Sequence, residues 1–387
     1  MAPWTMYRLK PKPGAGFHFG LRGLEQEDSA PHCPSDTLFA ALVATLADLE
    51  GPEGVEAFAA PFKDGQPPFL LSSVFPRAGD LPLLPLPHVR VELTPRPGRR
   101  KLLKRLRYVS PVIFHRILAG EAIDAYADPQ GRGAFLQRGR VWIAADEIDA
   151  LPAEWRGLTP DRVKRRQNWR PWLLGEEGRR WLREQKVWGS DPVDRVTVDR
   201  VSSASAVYRI GRTVYAPGCG LWFGAQWPDG VEAAAQAQLE TLLAHLGDRG
   251  LGGERSVGYG QFTLEQEPLP LELPRRHPGQ PALTLSRYLP RQDELPAALQ
   301  GRASYRLVAV AGWLNAPGSR AQRRRQVRLL GAGSVFEPAG ARPWGRLADV
   351  RPAGWQAHPI WRYGYACPVG VGAVVGERKG KPEVDHA

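Results

Sequence analysis

Cysteine, methionine and long apolar runs are all scarce in this sequence. Three cysteines, Cys33, Cys219 and Cys367, are scattered over 387 residues. None has a partner at ligand spacing, and an odd count argues against a disulfide framework, so neither a thiolate metal centre nor a secreted disulfide scaffold is expected. The longest apolar stretch of interest, residues 307–314, falls far short of the roughly 18 residues that suggest a membrane span. The opening MAPWTMYRLKPKPG has no signal-peptide apolar region. A cytoplasmic chain with no membrane partner is therefore expected. Neither H-E-x-x-H nor the phosphate loop G-x-x-x-x-G-K-[ST] occurs, and no metal or cofactor is expected.

What is present is a folded composition, 43% apolar, 9% aromatic and 24% charged, with a strong positive bias. At about 150 residues per domain the length suggests two or three domains. Lys plus Arg number 52 against 40 acids, a net +12, which favours a polyanionic partner over a small acidic substrate. The charge is regional: residues 88–195 hold 23 basic and 14 acidic residues, so they carry +9 of the +12. Six of the 13 tryptophans, Trp142, Trp155, Trp169, Trp172, Trp181 and Trp188, lie in the same stretch. They interleave with RPGRRKLLKRLRY (96–108) and DRVKRRQNWRPW (161–172), which contain Arg100, Lys101, Lys104, Arg105, Arg165 and Arg166. Cations beside flat rings suit single-stranded nucleic acid, where phosphates meet the cations and bases stack. For any one of these residues the ordinary reading is a solvated charge or a core tryptophan; the regional excess points to RNA or DNA. A second cluster, SRAQRRRQVR (319–328), is a weaker signal of the same kind.

Along the chain, YRLKPKPGAGFHFG reads as a strand that breaks into a loop near Gly20. PSDTLFAALVATLADLEG places Leu38, Phe39, Leu42, Val43, Leu46 and Leu49 on one helical face, with Ser35 or Asp36 as cap and Gly51 as stop. FLLSSVFP (69–76) reads as a buried strand. After it, residues 88–195 resemble an insertion, since strand signals resume only at RVTVDRV (195–201) and continue through 206–227 as a hairpin. A second helix carries Leu239, Leu242, Leu243 and Leu246, and a glycine-rich turn (250–260) leads into a last strand. Without the insertion this approximates the β-α-β-β-α-β ferredoxin-like (RRM-like) order, which many unrelated functions share. The expected organisation is α+β: a first unit over 1–267, a proline-rich linker over 268–281 and a second unit over 282–387.

The glycine-rich turn, GDRGLGGERSVGYGQF, holds Gly250, Gly252, Gly253, Gly258 and Gly260 around Arg255, Ser256 and Tyr259. Such a turn can expose N–H groups to phosphate oxygens, or it can simply be a tight turn. Following a helix and preceding a strand, it is not a Rossmann fingerprint. In position and residues it resembles the loop of the RAMP superfamily of CRISPR proteins. FHFG with SDTLFAAL, RVTVDRVSSAS, GAGSVFEPAG and HPIWRYGYACPVGVG narrow the likeness to the type III-A (Csm) subunit that caps the 5′ repeat-derived handle of crRNA. The resemblance spans both ends of the chain and is least informative over 88–195. It implies two fused ferredoxin-like domains, a β-hairpin thumb in the insertion, crRNA as ligand, and as partners the large polymerase/cyclase-like subunit and a backbone RAMP subunit.

No GGDD-type motif is present, and the chain is expected not to be an enzyme. His18 is the one residue that suggests a nuclease, because RAMP relatives that process crRNA often use a histidine on a 2′-hydroxyl; His32 lies in a loop that the sequence cannot place. RNA contact by His18 and a structural hydrogen bond are the stronger readings. Asp36 is expected to cap a helix rather than to cut RNA. On the strand at 195–201, Asp199 and Arg200 face opposite ways, and Arg200 is the candidate for RNA. A crRNA-processing RAMP endoribonuclease and the equivalent type III-B subunit are the alternatives.

Overall fold

Residues 4–20, 28–91, 93–94, 99–128, 131–159, 169–198, 205–230, 233–314 and 322–372 are described by a computed structural model. Six elements build the main layers: β1 (Trp4–Pro11), α1 (Ser35–Lys63), β2 (Phe75–Ala78), β3 (Cys219–Gln226), α2 (Ala233–Arg249) and β4 (Phe262–Glu265). The sheet runs β4-β1-β3-β2 with every neighbour antiparallel. β3 is central and buried along its whole length, which explains its near-continuous apolar reading. On one face Tyr7 stacks on Phe223 at 5.0 Å and donates its hydroxyl to Glu240 of α2. On the other, the Trp222 indole donates to the Leu83 carbonyl.

α1 buries Leu38, Phe39, Leu42 and Leu46 completely, but Leu49, expected on the same stripe, is 47% exposed. The helix does break at Gly51 (φ 70°), as the sequence suggests, and then restarts. Pro52 suits a first helical position, where no N–H is needed, and the second segment buries Phe58 and Phe62.

Three sequence expectations are corrected. First, residues 206–227 do not fold back on themselves. Ser205–Ile210 pairs with Val193–Val198 as a separate two-stranded ribbon, Thr213–Tyr215 pairs with Trp188–Ser190, and β3 joins the main sheet. RVTVDRV therefore begins on the ribbon; Asp199 and Arg200 lie outside the described residues. Second, residues 268–281 are no free linker: Leu269 is buried and Leu271 and Leu273 pack on the main core. Third, the Asp36 side chain makes no cap; Pro34 occupies that position.

The 88–195 stretch contributes most of a four-stranded sheet in the order Leu84–Pro85, Tyr108–Val109, Val141–Ala144, Gly133–Leu136. Its apolar residues run into the main core. Trp142, Trp155, Trp169 and Trp188 are buried, and Trp172 and Trp181 are partly buried against that core. The tryptophans thus supply packing, not a stacking platform, because their large apolar area outweighs the pull of neighbouring charge.

In the C-terminal unit Ala282–Thr284 lies between Val335–Phe336 and Pro368–Gly370. Among its described residues the only α-helix is Leu295–Ala298, so the two long helices of a second ferredoxin-like unit are not found there. Leu283, Leu285, Tyr363, Tyr365 and Cys367 belong to the same core as the first unit. The Asp36 carboxylate, fully buried, clamps the two: Oδ1 meets Arg287 Nη1 at 3.0 Å and Oδ2 meets Arg362 Nη1 at 2.6 Å. Burial by itself would raise the Asp36 carboxyl, but the charges and hydrogen bonds of the two arginines outweigh it and hold it below its ordinary 3.8.

Asp36→Asn leaves two guanidiniums without their counter-charge and should cost about 3–5 kcal/mol in urea unfolding at neutral pH. Because the folded-state value is depressed, the stabilisation is complete above 3.8 and is lost as pH falls through the lower folded value. The wild-type protein should therefore lose more stability on acidification than the variant; equal acid slopes would contradict this account.

Candidate nucleic-acid interface

After α2 ends at Arg249, the chain doubles back, and the Leu251 N–H donates to the Gly260 carbonyl at 2.9 Å. The loop between them lies on residues 16–19. Gly253 N–H donates to His18 O at 2.9 Å and Gly260 N–H to Gly16 O at 2.8 Å. Gly252 has φ 106°, and a Cβ there would sit 2.6 Å from the His18 carbonyl oxygen. Close approach to protein, not to a ligand, requires this glycine. Gly258 (φ 83°) closes the single 3-10 turn Arg255–Val257.

The expectation that the glycine N–H groups await phosphate is corrected in part. Those of Gly250, Gly253, Gly258 and Gly260 already donate to backbone carbonyls. What the loop presents to solvent is its crest, with Arg255 and Ser256 exposed. Tyr259 points back under the crest; it is buried, and its hydroxyl has no hydrogen-bond partner.

The base of the 193–210 ribbon closes the third side. Arg195 and Arg212 place their guanidinium carbons 5.9 and 5.7 Å from the centre of the Tyr259 ring, within cation–π range. Arg212 also pairs with Asp191, while Arg195 Nε is buried without a partner. His18 Nδ1 lies 2.7 Å from the Gly211 carbonyl, so that nitrogen carries a proton and donates. His18 thus joins the loop to the ribbon, the structural role weighed from sequence. Sequence reasoning missed Arg195 and Arg212. The alternation in VDRVTV puts Arg195 opposite Tyr208, but nothing local reveals that Tyr259 lies beneath it.

His32 does not complete a catalytic pair. It is half-buried, its Nδ1 lies 2.9 Å from the Tyr108 hydroxyl, and loss of solvent around the ring, with Arg287 and Arg306, pushes its pKa down to about 4. It is neutral at physiological pH. Among the described residues no group of three His, Cys, Asp or Glu side chains could hold a metal ion, and no helix is long and apolar enough to cross a membrane.

The other predicted cations are elsewhere. Lys101, Lys104 and Arg105 are exposed on the short helix Arg99–Arg105. Arg99 turns inward to Asp124 and Asp128. The backbone of Arg100 is in this helix; Arg165, Arg166 and Arg200 lie outside the described residues. No hydrogen bond or ion pair among the described residues joins this helix to the loop.

Known proteins resemble this chain along most of its length. A family profile, CRISPR Csm4 C-terminal domain, matches residues 277–371. A Mycobacterium tuberculosis protein described as CRISPR system Cms protein Csm4 is 27% identical over 356 residues, 91% of this chain and 93% of the relative. A protein of the same description from Thermococcus onnurineus is 24% identical over 339 residues, 87% and 91% of the two chains. A crystal structure of a Csm3-Csm4 subcomplex in the type III-A CRISPR-Cas interference complex is similar in fold, with TM-score 0.62 and 16% identity over 95% of this chain and 99% of that one. A Csm1-Csm4 cassette in complex with pppApA gives TM-score 0.52 and 18% identity over 95% and 98%. With the profile on its C-terminal unit and relatives of one description along most of its length, the chain is similar to the Csm4 proteins of CRISPR systems.

Proposed function

We propose that the protein is a non-catalytic RNA-binding scaffold of a type III-A effector complex, holding the 5′ repeat-derived handle of crRNA where the glycine-rich loop, His18 and the ribbon base meet. The convergence of Arg195 and Arg212 on the Tyr259 ring, in a loop that also presents the exposed Arg255, carries this reading. Two cations at the ribbon base are gathered on a ring of the loop, and of the two only Arg212 has an acid partner among the described residues. The exposed crest can meet phosphate, which positions a strand without reading its bases. The sheet order β4-β1-β3-β2, with a helix after β1 and another after β3, supports a ferredoxin-like RAMP unit for the N-terminal part. The thumb is assigned to this ribbon, although its strands, Val193–Val198 and Ser205–Ile210, lie almost wholly beyond the 88–195 stretch in which it was expected. Asp194 pairs with Arg209 on one face, and Val196, Val198 and Val207 follow them outward, exposed. Solved relatives occur with Csm3 and with Csm1; this chain is accordingly assigned to bridge a backbone RAMP subunit and the large cyclase-like subunit. Catalysis is left to those other subunits.

Two loop variants separate structure from binding. Gly252→Val forces a side chain into positive φ and onto a carbonyl, so it should lower stability by on the order of 2 kcal/mol as well as weaken handle-containing crRNA. Arg255→Glu, at an exposed position, should keep the thermal midpoint and lose affinity. Its log–log salt slope should also fall by about 0.7, the value of one single-strand phosphate contact. Unchanged affinity and slope in Arg255→Glu would remove the loop from the interface.

Incubating the purified chain with repeat RNA should give no cleavage. Cleavage that disappears in His18→Ala would instead establish a processing endoribonuclease.

A further inference from the structure

Between Glu294 and Glu337 the chain has no acidic residue, yet it holds Arg302, Arg306, Arg320, Arg323, Arg324, Arg325 and Arg328. Not one lysine is among them. The described part of this stretch forms two short ribbons, Leu307–Val310 with Val327–Leu330 and Trp313–Leu314 with Gln322–Arg323. The second pairs Trp313 directly opposite Arg323, whose guanidinium carbon stands 5.1 Å from the indole centre.

Trp313 is unlike the other tryptophans. It is 56% exposed, and no other tryptophan of the chain falls in the exposed class. Arg323, Arg325 and Arg328 are exposed as well, and none pairs with an acid among the described residues. Arg302, by contrast, is held by Glu337 at 2.6 Å. The backbone beneath is fixed: Arg324 N–H donates to Gly312 O at 3.0 Å and Arg325 N–H to Val350 O at 2.9 Å. Arg324 itself turns inward, its Nε buried.

Neighbouring like charges repel, and soluble surfaces normally intersperse both signs. Two short ribbons and the residues between them that present three arginines and an uncovered indole, the arginines with no acid partner among the described residues, match a polyanion that also has flat faces. Arginine suits such a ligand better than lysine would, since the planar guanidinium stacks and grips phosphate with two donors at once.

We propose that Trp313, Arg323, Arg325 and Arg328 form a second contact for single-stranded RNA on the C-terminal unit. One base stacks against the Trp313–Arg323 pair, and flanking phosphates meet Arg325 and Arg328. This contact does not depend on the handle being held at the glycine-rich loop.

The test uses the full chain carrying Arg255→Glu, so that the loop is disabled, and a labelled short oligouridylate that contains no handle sequence. Binding is followed by anisotropy at several salt concentrations. Trp313→Ala should weaken oligouridylate about tenfold, while Trp313→Phe, which keeps a ring, should retain most of the affinity. Arg323→Glu/Arg325→Glu/Arg328→Glu should reduce the salt slope by about 1.4, two phosphate contacts at roughly 0.7 each. All positions are exposed, so thermal midpoints should stay near wild type; if the triple variant unfolds, the two Trp313 variants still decide. Oligouridylate affinity unchanged in Trp313→Ala would overturn the proposal. So would unchanged RNA binding with lost co-purification of a partner subunit, which would assign the surface to a protein.

Discussion

A carboxylate with no access to water holds this molecule together. Asp36 sits at the start of the first helix, and its two oxygens are each taken by an arginine from the C-terminal unit. Around it the same junction is stitched by Ser35, whose hydroxyl accepts the Arg287 N–H, by the Tyr363 hydroxyl, which accepts the Leu71 N–H, and by Tyr365, which donates to the Phe62 carbonyl. A buried ion pair is a poor source of net stability but an exacting one of geometry, since any relative slide of the units strands a charge. The position of the C-terminal unit against the main sheet, and with it the place of every surface cation on that unit, follows from this cluster.

Short-range signals were the legible ones. The stripe Leu38, Phe39, Leu42, Leu46 and the break at Gly51 are encoded within a few turns of helix, as is the turn that follows Arg249. The loop's neighbourhood was not legible: Tyr259 is covered by Arg195 and Arg212, and Gly252 is pressed on His18, through contacts between residues remote in sequence. For the same reason Asp36 looked like a cap. The local rule for an acid in a first turn is sound, and it loses here because two distant guanidiniums offer the carboxylate far more than a few peptide N–H groups could.

The basic stretch shows how composition misleads when two causes share one segment. Its tryptophans and its cations are interleaved in sequence but mostly do different work, although Arg156 does stand 4.7 Å from the centre of the Trp169 ring. Trp142 and Trp155 are sealed inside, whereas Lys101, Lys104 and Arg105 face solvent. An aromatic residue is informative about stacking only when it remains uncovered, and among the tryptophans that condition is met at Trp313, outside the stretch where the count was highest.

The strand order of the main sheet also governs when this protein can become itself. β1 is made first, yet both strands that flank it, Cys219–Gln226 and Phe262–Glu265, come more than half the chain later. At typical rates of synthesis the nascent chain would carry a strand with two unsatisfied edges for on the order of ten seconds or longer. Exposed edges of that kind invite pairing with other chains. Lys10 and Pro11 at the end of β1 are the residue types that discourage such pairing, so the strand's charged and proline-bearing end doubles as a guard during translation.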